Sequence, residues 1–205
     1  VPKVNVVNAK NKDVTFYRDS KAIEAKLYLP EGEGPHKTIV MSSIVFGDSV
    51  FYIASKVRES GYAVVAFKAD VPYSTFYSPV PQNYRIFPYM LDMYAIIDEL
   101  RYLPDVDMNN VYLYADDTGG VLATYMAYDR PGEIKGMVLF SPFFENVITL
   151  SNEPVFKVGI FDNMTECQTP TVIVLDEDNQ LSYNATMSMK AQKTMPDCHI
   201  DWYKF

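Results

Sequence analysis

Histidine is nearly missing from this chain: His36 and His199 are the only two among 205 residues, so chemistry that needs an imidazole to move a proton has two places to find one. Cysteine is equally scarce, at Cys167 and Cys198, too few for a disulfide framework or a cysteine-rich zinc site. Of the nine glycines none falls into a G-x-G-x-x-G or P-loop pattern, which removes the two familiar phosphate cradles. Positive charge is in deficit: 18 Lys and Arg stand against 26 Asp and Glu, a net −8 with a pI near 4.7. Nucleic acid and anionic membranes select a basic face and are disfavoured as partners. No apolar run approaches the roughly 18 residues of a membrane-spanning helix. The sequence shows no internal repeat and no low-complexity stretch.

What remains is a chain long enough to bury a substantial core as one domain over 1–205. Ile23, Ala25, Leu27 and Leu29 alternate with Glu24, Lys26 and Tyr28, the period of a half-buried strand. A second such run covers 14–17, and Arg18-Asp19-Ser20-Lys21 makes the turn between them, so the opening is an antiparallel hairpin. After the Pro- and Gly-rich loop 30–35, short and fully apolar runs at 38–41, 62–67, 111–114, 137–140 and 171–175 alternate with helical patterns. These runs are expected to be central parallel strands buried on both faces. Val50, Ile53, Ala54 and Val57 fall at i, i+3, i+4, i+7 with Gly61 closing the helix, and Met90, Met93, Ile97 and Leu100 mark a longer helix before Pro104. A last helix near 182–193 leads into an alternating strand at 199–205. The fold class is α/β: a three-layer, doubly wound, mostly parallel sheet with an N-terminal hairpin.

The stretch Tyr114-Ala115-Asp116-Asp117-Thr118-Gly119-Gly120 has the layout of a nucleophile elbow, in which small residues let a strand turn sharply into a helix and lift one side chain clear of the sheet. Asp117 holds the place of the serine or cysteine. Three roles are open to it: capping the helix, covalent attack through its carboxylate, or contact with a ligand or cation. Capping is the bland role and is favoured. Asp116 beside it is a like charge, which raises the pKa of whichever carboxyl is more buried. Asp116, Asp117 and Asp178 offer hard oxygens to a calcium or magnesium ion, but converging carboxylates often bind nothing, and no metal or cofactor is expected.

The order of parts resembles the α/β-hydrolase superfamily, most closely its compact dienelactone-hydrolase-like and prolyl-oligopeptidase-like branch. Beyond the elbow, the resemblance is carried by Ala25-Lys26-Leu27-Tyr28-Leu29-Pro30 before the first central strand, by Ser60-Gly61-Tyr62-Ala63-Val64-Val65-Ala66 into the next, and by Leu103-Pro104-Asp105-Val106-Asp107 ahead of the elbow strand. It implies an oxyanion hole from backbone N–H groups of Ser43 or Ile44 and of Thr118, with Ser42-Ser43 standing where the family has His-Gly. The acid of the family's triad corresponds to Asp178, with Asp176 second. Its histidine follows the last strand. His36 lies at the opposite end of the sheet, and His199 begins that strand, six residues or roughly 20 Å below the rim at about 3.3 Å each; a solvated surface position suits both better. The resemblance further implies a closing helix on the sheet, so a chain cut short at its C-terminal end is a reading to carry.

Absent serine and absent histidine together point to a hydrolase-like fold that lost serine-hydrolase chemistry and acts on a small molecule or protein partner by binding or assembly. A hydrolase of ester, haloalkane or epoxide type, with Asp117 as nucleophile and a histidine beyond Phe205, is the alternative. Cys167 and Cys198 precede neighbouring strand runs, close enough for a bridge if those strands are adjacent and parallel; two free thiols are the other outcome. Asn163-Met164-Thr165 and Asn184-Ala185-Thr186 match the glycosylation sequon. A start at Val1 fits a processed or a trimmed chain, and with the sequons it makes secretion an expectation.

Overall fold

Alternating runs lie at one edge of the sheet and uniformly apolar ones at its centre, as their two patterns of burial require. The structure is a computed structural model describing residues 1–8, 10–43, 47–68, 82–142, 144, 147–150, 153–157, 164–179 and 183–204. It opens with β1 (Lys3–Asn8), β2 (Asn11–Arg18) and β3 (Lys21–Tyr28). β2 and β3 form the expected hairpin: Val14 faces Ala25 and Phe16 faces Ile23, all buried, and Asp19 takes a positive φ of 54° in the two-residue turn, a conformation Asp tolerates better than most side chains. β1, which the sequence reading passes over, adds an outer edge strand.

The remainder alternates: β4 (His36–Ser43), α1 (Ser49–Val57), β5 (Ala63–Lys68), α2 (Gln82–Glu99), β6 (Val106–Asp116), α3 (Thr118–Asp129), β7 (Ile134–Phe140), β8 (Val147–Leu150), β9 (Glu153–Lys157), β10 (Thr171–Asp176), α4 (Tyr183–Thr194) and β11 (Cys198–Tyr203). Nine strands make one sheet in the order β1-β2-β3-β5-β4-β6-β7-β10-β11. It is antiparallel from β1 to β5 and parallel from β5 to β11. β8 and β9 form a separate small hairpin in the excursion between β7 and β10, a second element without an expectation from sequence.

The main core lies on one face, where Met93 and Ile96 of α2, Leu100 just after it, Leu122 and Met126 of α3 and Ala185 and Ala191 of α4 meet Val40, Val65, Leu113, Leu139 and Ile173. On the other face, α1 packs Val50 and Ala54 on Tyr28, Met41, Val64 and Ala66. Burial of the central strands on both faces holds only under α1. Across β6, β7 and β10 the second face is less covered among the described residues: Ile173 is fully buried while its neighbours Val172 and Val174 are half-buried, and Val138 is 38% exposed. The alternation on β10 is that of a strand covered on one side.

Two ion-pair groups tie α2 to its neighbours, one to the hairpin β2–β3 and one to the end of α3. Asp92 of α2, almost buried, accepts from Arg18 Nε at 2.7 Å and Lys21 Nζ at 2.5 Å. Arg130, just past α3, pairs with Asp98 and lies over the Tyr94 ring at 4.5 Å.

Candidate functional site

β6 brings the chain to the rim of the sheet and α3 carries it away, and the residue between them is bent as an elbow requires. Asp117 sits at φ 45°, ψ −124°, a backbone region costly for any residue with a Cβ, by about 1–3 kcal/mol. The bend is held by its neighbours. Asp117 N–H donates to Phe140 O at 3.1 Å, and Gly120 N–H donates to Asp117 O at 3.0 Å, starting the helix. Ala115 is fully buried. Gly120 is needed for close approach, because a Cβ there would stand 2.5 Å from Cβ of Pro142. Capping through the Asp117 side chain, the favoured role in the sequence, is not observed: the carboxylate makes no capping hydrogen bond.

Asp116, 1% exposed, accepts a 2.6 Å hydrogen bond from Ser43 Oγ at the end of β4. This bond fastens the strand end assigned to the oxyanion hole to the residue before the elbow. It was not legible in the sequence, where Ser43 was singled out for its backbone alone. Its negative charge also reaches Tyr114, whose phenol is pushed up to about 12 by burial first and by Asp116 second. Burial likewise raises the phenol of Tyr89, with Ser42, Asp116 and Asp92 as charged or polar neighbours.

The two pieces of the implied oxyanion hole that fall on described backbone, Ser43 and Thr118, flank the elbow, since β4 and β6 are adjacent; Ile44 lies outside the described residues. Asp178 occupies a 3-10 turn, Glu177–Asn179, directly after β10. It shares the elbow's rim two strands away. Its N–H donates to Asp176 Oδ1 at 3.0 Å, and its exposed carboxylate stands 4.0 Å from Lys204 Nζ. Asp116, Asp117 and Asp178 do not converge: among the described residues no three His, Cys, Asp or Glu side chains form a metal-binding group.

Neither histidine comes to this rim. The register runs Met41↔Tyr114 on β4 and β6, which leaves His36 about eight residues, or about 26 Å, below Asp117. His199 aligns with Val172, Val172 with Val138 and Val138 with Tyr114. It is therefore about three residues below Asp117 and three strands aside, close to 17 Å in all. That is nearer along the strand than the 20 Å read from sequence, because β11 is set higher in the sheet, with Trp202 level with Asp117. The sideways distance keeps it out of reach.

Two further residues meet beside this rim, Ser141 with no signal in the sequence and Asn184 marked there only by its sequon. Ser141, after β7, has φ 43°, and Asn184 of α4 turns its Nδ2 onto Ser141 O at 3.1 Å. The sequon at Asn184 is thus on a part-buried amide already donating a hydrogen bond; Asn163 lies outside the described residues. Cys167 and Cys198 correct the bridge considered above: both are free thiols. Their strands are parallel neighbours as foreseen, yet adjacency supplies proximity without a bond. Burial raises the pKa of both, Cys198 to about 11.

A strained strand-to-helix corner at the parallel end of a sheet of this order is the architecture of the α/β-hydrolase fold, and solved structures agree. A dienelactone hydrolase from Anabaena variabilis superposes with a TM-score of 0.72 at 13% identity, over 99% of this chain and 86% of that one. Est1E from Butyrivibrio proteoclasticus gives 0.71 at 14%, over 94% and 88%, and an acetyl xylan esterase from Paenibacillus sp. R4 gives 0.71 at 14%, over 98% and 81%. The chain has the α/β-hydrolase fold, similar in architecture to dienelactone-hydrolase-like and acetyl xylan esterase structures. In sequence, no protein-family model and no curated protein matches it.

Proposed function

We propose that this protein is a hydrolase-fold scaffold that works by binding or assembly and has no serine-hydrolase activity. The observation that carries this is the pairing of a carboxylate at the tip of a correctly bent elbow with both histidines about 17 Å or more away. Acyl transfer by a serine needs a hydroxyl whose proton passes to an imidazole. Here the elbow presents carboxyl oxygens, hydrogen-bond acceptors that favour polar donors or cations over ester carbonyls. The partner is a small molecule or a protein. A secreted, glycosylated form belongs to the same proposal and rests on the two sequons at Asn163 and Asn184.

The second reading makes Asp117 a nucleophile. Its Oδ would attack a carbon, forming an ester while the carbon–halogen or carbon–oxygen bond breaks and the leaving group departs with the electron pair; water would then cleave the ester and restore the carboxylate. The elbow backbone favours this by holding the carboxylate at the tip. The second step needs a group to take the water proton, and among the described residues no histidine is placed to do so.

The deciding experiment incubates the protein with p-nitrophenyl esters, a haloalkane and an epoxide, with Asp117→Asn as control. Rates equal to those of the control are expected. Turnover abolished by Asp117→Asn would replace binding by covalent catalysis.

A further inference from the structure

A cavity of about 410 Å³ opens where the start of β2, the residues after β3 and the turn after α1 meet. Its volume lies within the range of small-molecule sites, about 300–1,000 Å³. Leu29 and Pro30, both buried, give it an apolar side, and Lys10, Glu31, Arg58 and Glu59 give it charge. Gly61 at its edge stands just before β5 begins at Ala63. Because β5, β4 and β6 run parallel, this cavity and Asp117 are at opposite ends of the sheet.

Three of the four charges are met by a partner. Lys10 Nζ lies 2.5 Å from Glu31 Oε1, and Lys56, from α1, lies 3.2 Å from Glu59 Oε1. Arg58 is the exception. Half-buried, it donates from Nη1 to Asn11 Oδ1 at 2.6 Å, an uncharged amide, and among the described residues no carboxylate pairs with it. Arg18, Arg101 and Arg130 each have an aspartate, and with 26 acidic residues against 18 basic ones carboxylates are not scarce. The end of α1 favours a positive charge at this point, which accounts for a cation there but not for the cavity beside it. A guanidinium is a planar fork of N–H donors that fits a carboxylate with two parallel hydrogen bonds.

We propose that this cavity binds a small organic monocarboxylate, its carboxylate on the remaining N–H groups of Arg58 and its apolar body against Leu29 and Pro30. One unpaired cation flanked by Glu31 and Glu59 suits a single negative charge, whereas a phosphate dianion would meet those two carboxylates as like charges. The site goes beyond the binding function proposed for Asp117 and shares no residue with it.

The test titrates the whole chain at constant ionic strength with benzoate, with its uncharged relative benzamide and with inorganic phosphate, following backbone amide shifts by NMR. Benzoate is expected to bind about tenfold or more tightly than either, the factor that a charge-assisted hydrogen bond supplies, with shifts centred on Leu29, Glu31 and Arg58. Arg58→Gln should weaken benzoate about tenfold. Asn11→Asp keeps the arginine but gives it a carboxylate of its own, and should weaken benzoate to a similar degree; it decides the matter alone if Arg58→Gln lowers the melting temperature. Asp117→Asn should leave benzoate binding unchanged, so this site and the reading of the elbow fail separately. No binding of benzoate, benzamide or phosphate binding as tightly, shifts centred on the elbow, or full affinity retained by either cavity variant would overturn the proposal.

Discussion

Replacing Asp117 by glycine should make this protein more stable, against the ordinary effect of that substitution. At φ 45°, ψ −124° any Cβ is strained by about 1–3 kcal/mol, and glycine relieves that. Glycine also adds freedom to the unfolded chain, which opposes the gain by about 0.4–1 kcal/mol. The net is a stabilisation near 1 kcal/mol, or about 2–4 °C in Tm for a chain of this length. Comparing Asp117→Gly with Asp117→Ala isolates the backbone, since both remove the charge beside Asp116 and only alanine keeps the Cβ. Urea melts should place Gly above Ala by about 1 kcal/mol. The same pair at Met189, an exposed position within α4, should show the reverse order by about 1 kcal/mol, as in any helix. Alanine equal to or above glycine at 117 would mean that the corner is not strained, and the identification of an elbow would fall with it.

Other consequences reach the surroundings of the corner. Ser43→Ala removes the 2.6 Å hydrogen bond to buried Asp116 and should cost about 1–3 kcal/mol in a denaturant melt, because the carboxylate loses a donor that water cannot replace; a loss under 0.5 kcal/mol would deny the bond. Tyr114, raised from 10.0 to about 12, holds its proton more tightly folded than unfolded. Its contribution is complete below pH 10 and disappears as pH climbs to 12, so stability should fall across that window. Tyr114→Phe should flatten that fall, and an unchanged alkaline profile would show the phenol to be solvated.

Much of the fold was legible from local pattern. The hairpin, the parallel strands, the helices after 50, 90 and 183, and the corner at 117 all declare themselves by period and by small residues at a bend. Less was visible where pairing partners lie far apart in sequence. β1 and the β8–β9 hairpin are short, and nothing nearby marks them as sheet. The bond from Ser43 to Asp116 joins residues 73 apart, and the Arg18 and Lys21 pairs to Asp92 join residues more than 70 apart. Cysteine spacing left a bridge and two free thiols both open; the strands are parallel neighbours and the thiols are free, because adjacency and bonding are separate facts.

The sequence by itself determined the chemistry available: a carboxylate where a nucleophile belongs, and two histidines in all, since residue identity is independent of folding. It also determined the fold class, because hydrophobic period is a local property of the chain. Only the tertiary structure decided which groups meet. Strand register, set by side-chain packing across the whole sheet, keeps His199 three strands from the corner and stacks Ser43 on Asp116. Coverage of the sheet was decided there too: Val138 and Ile173 are both apolar in sequence, yet one is 38% exposed and the other is fully buried in the main core, because where a helix lands depends on the path of the chain and not on the strand beneath it.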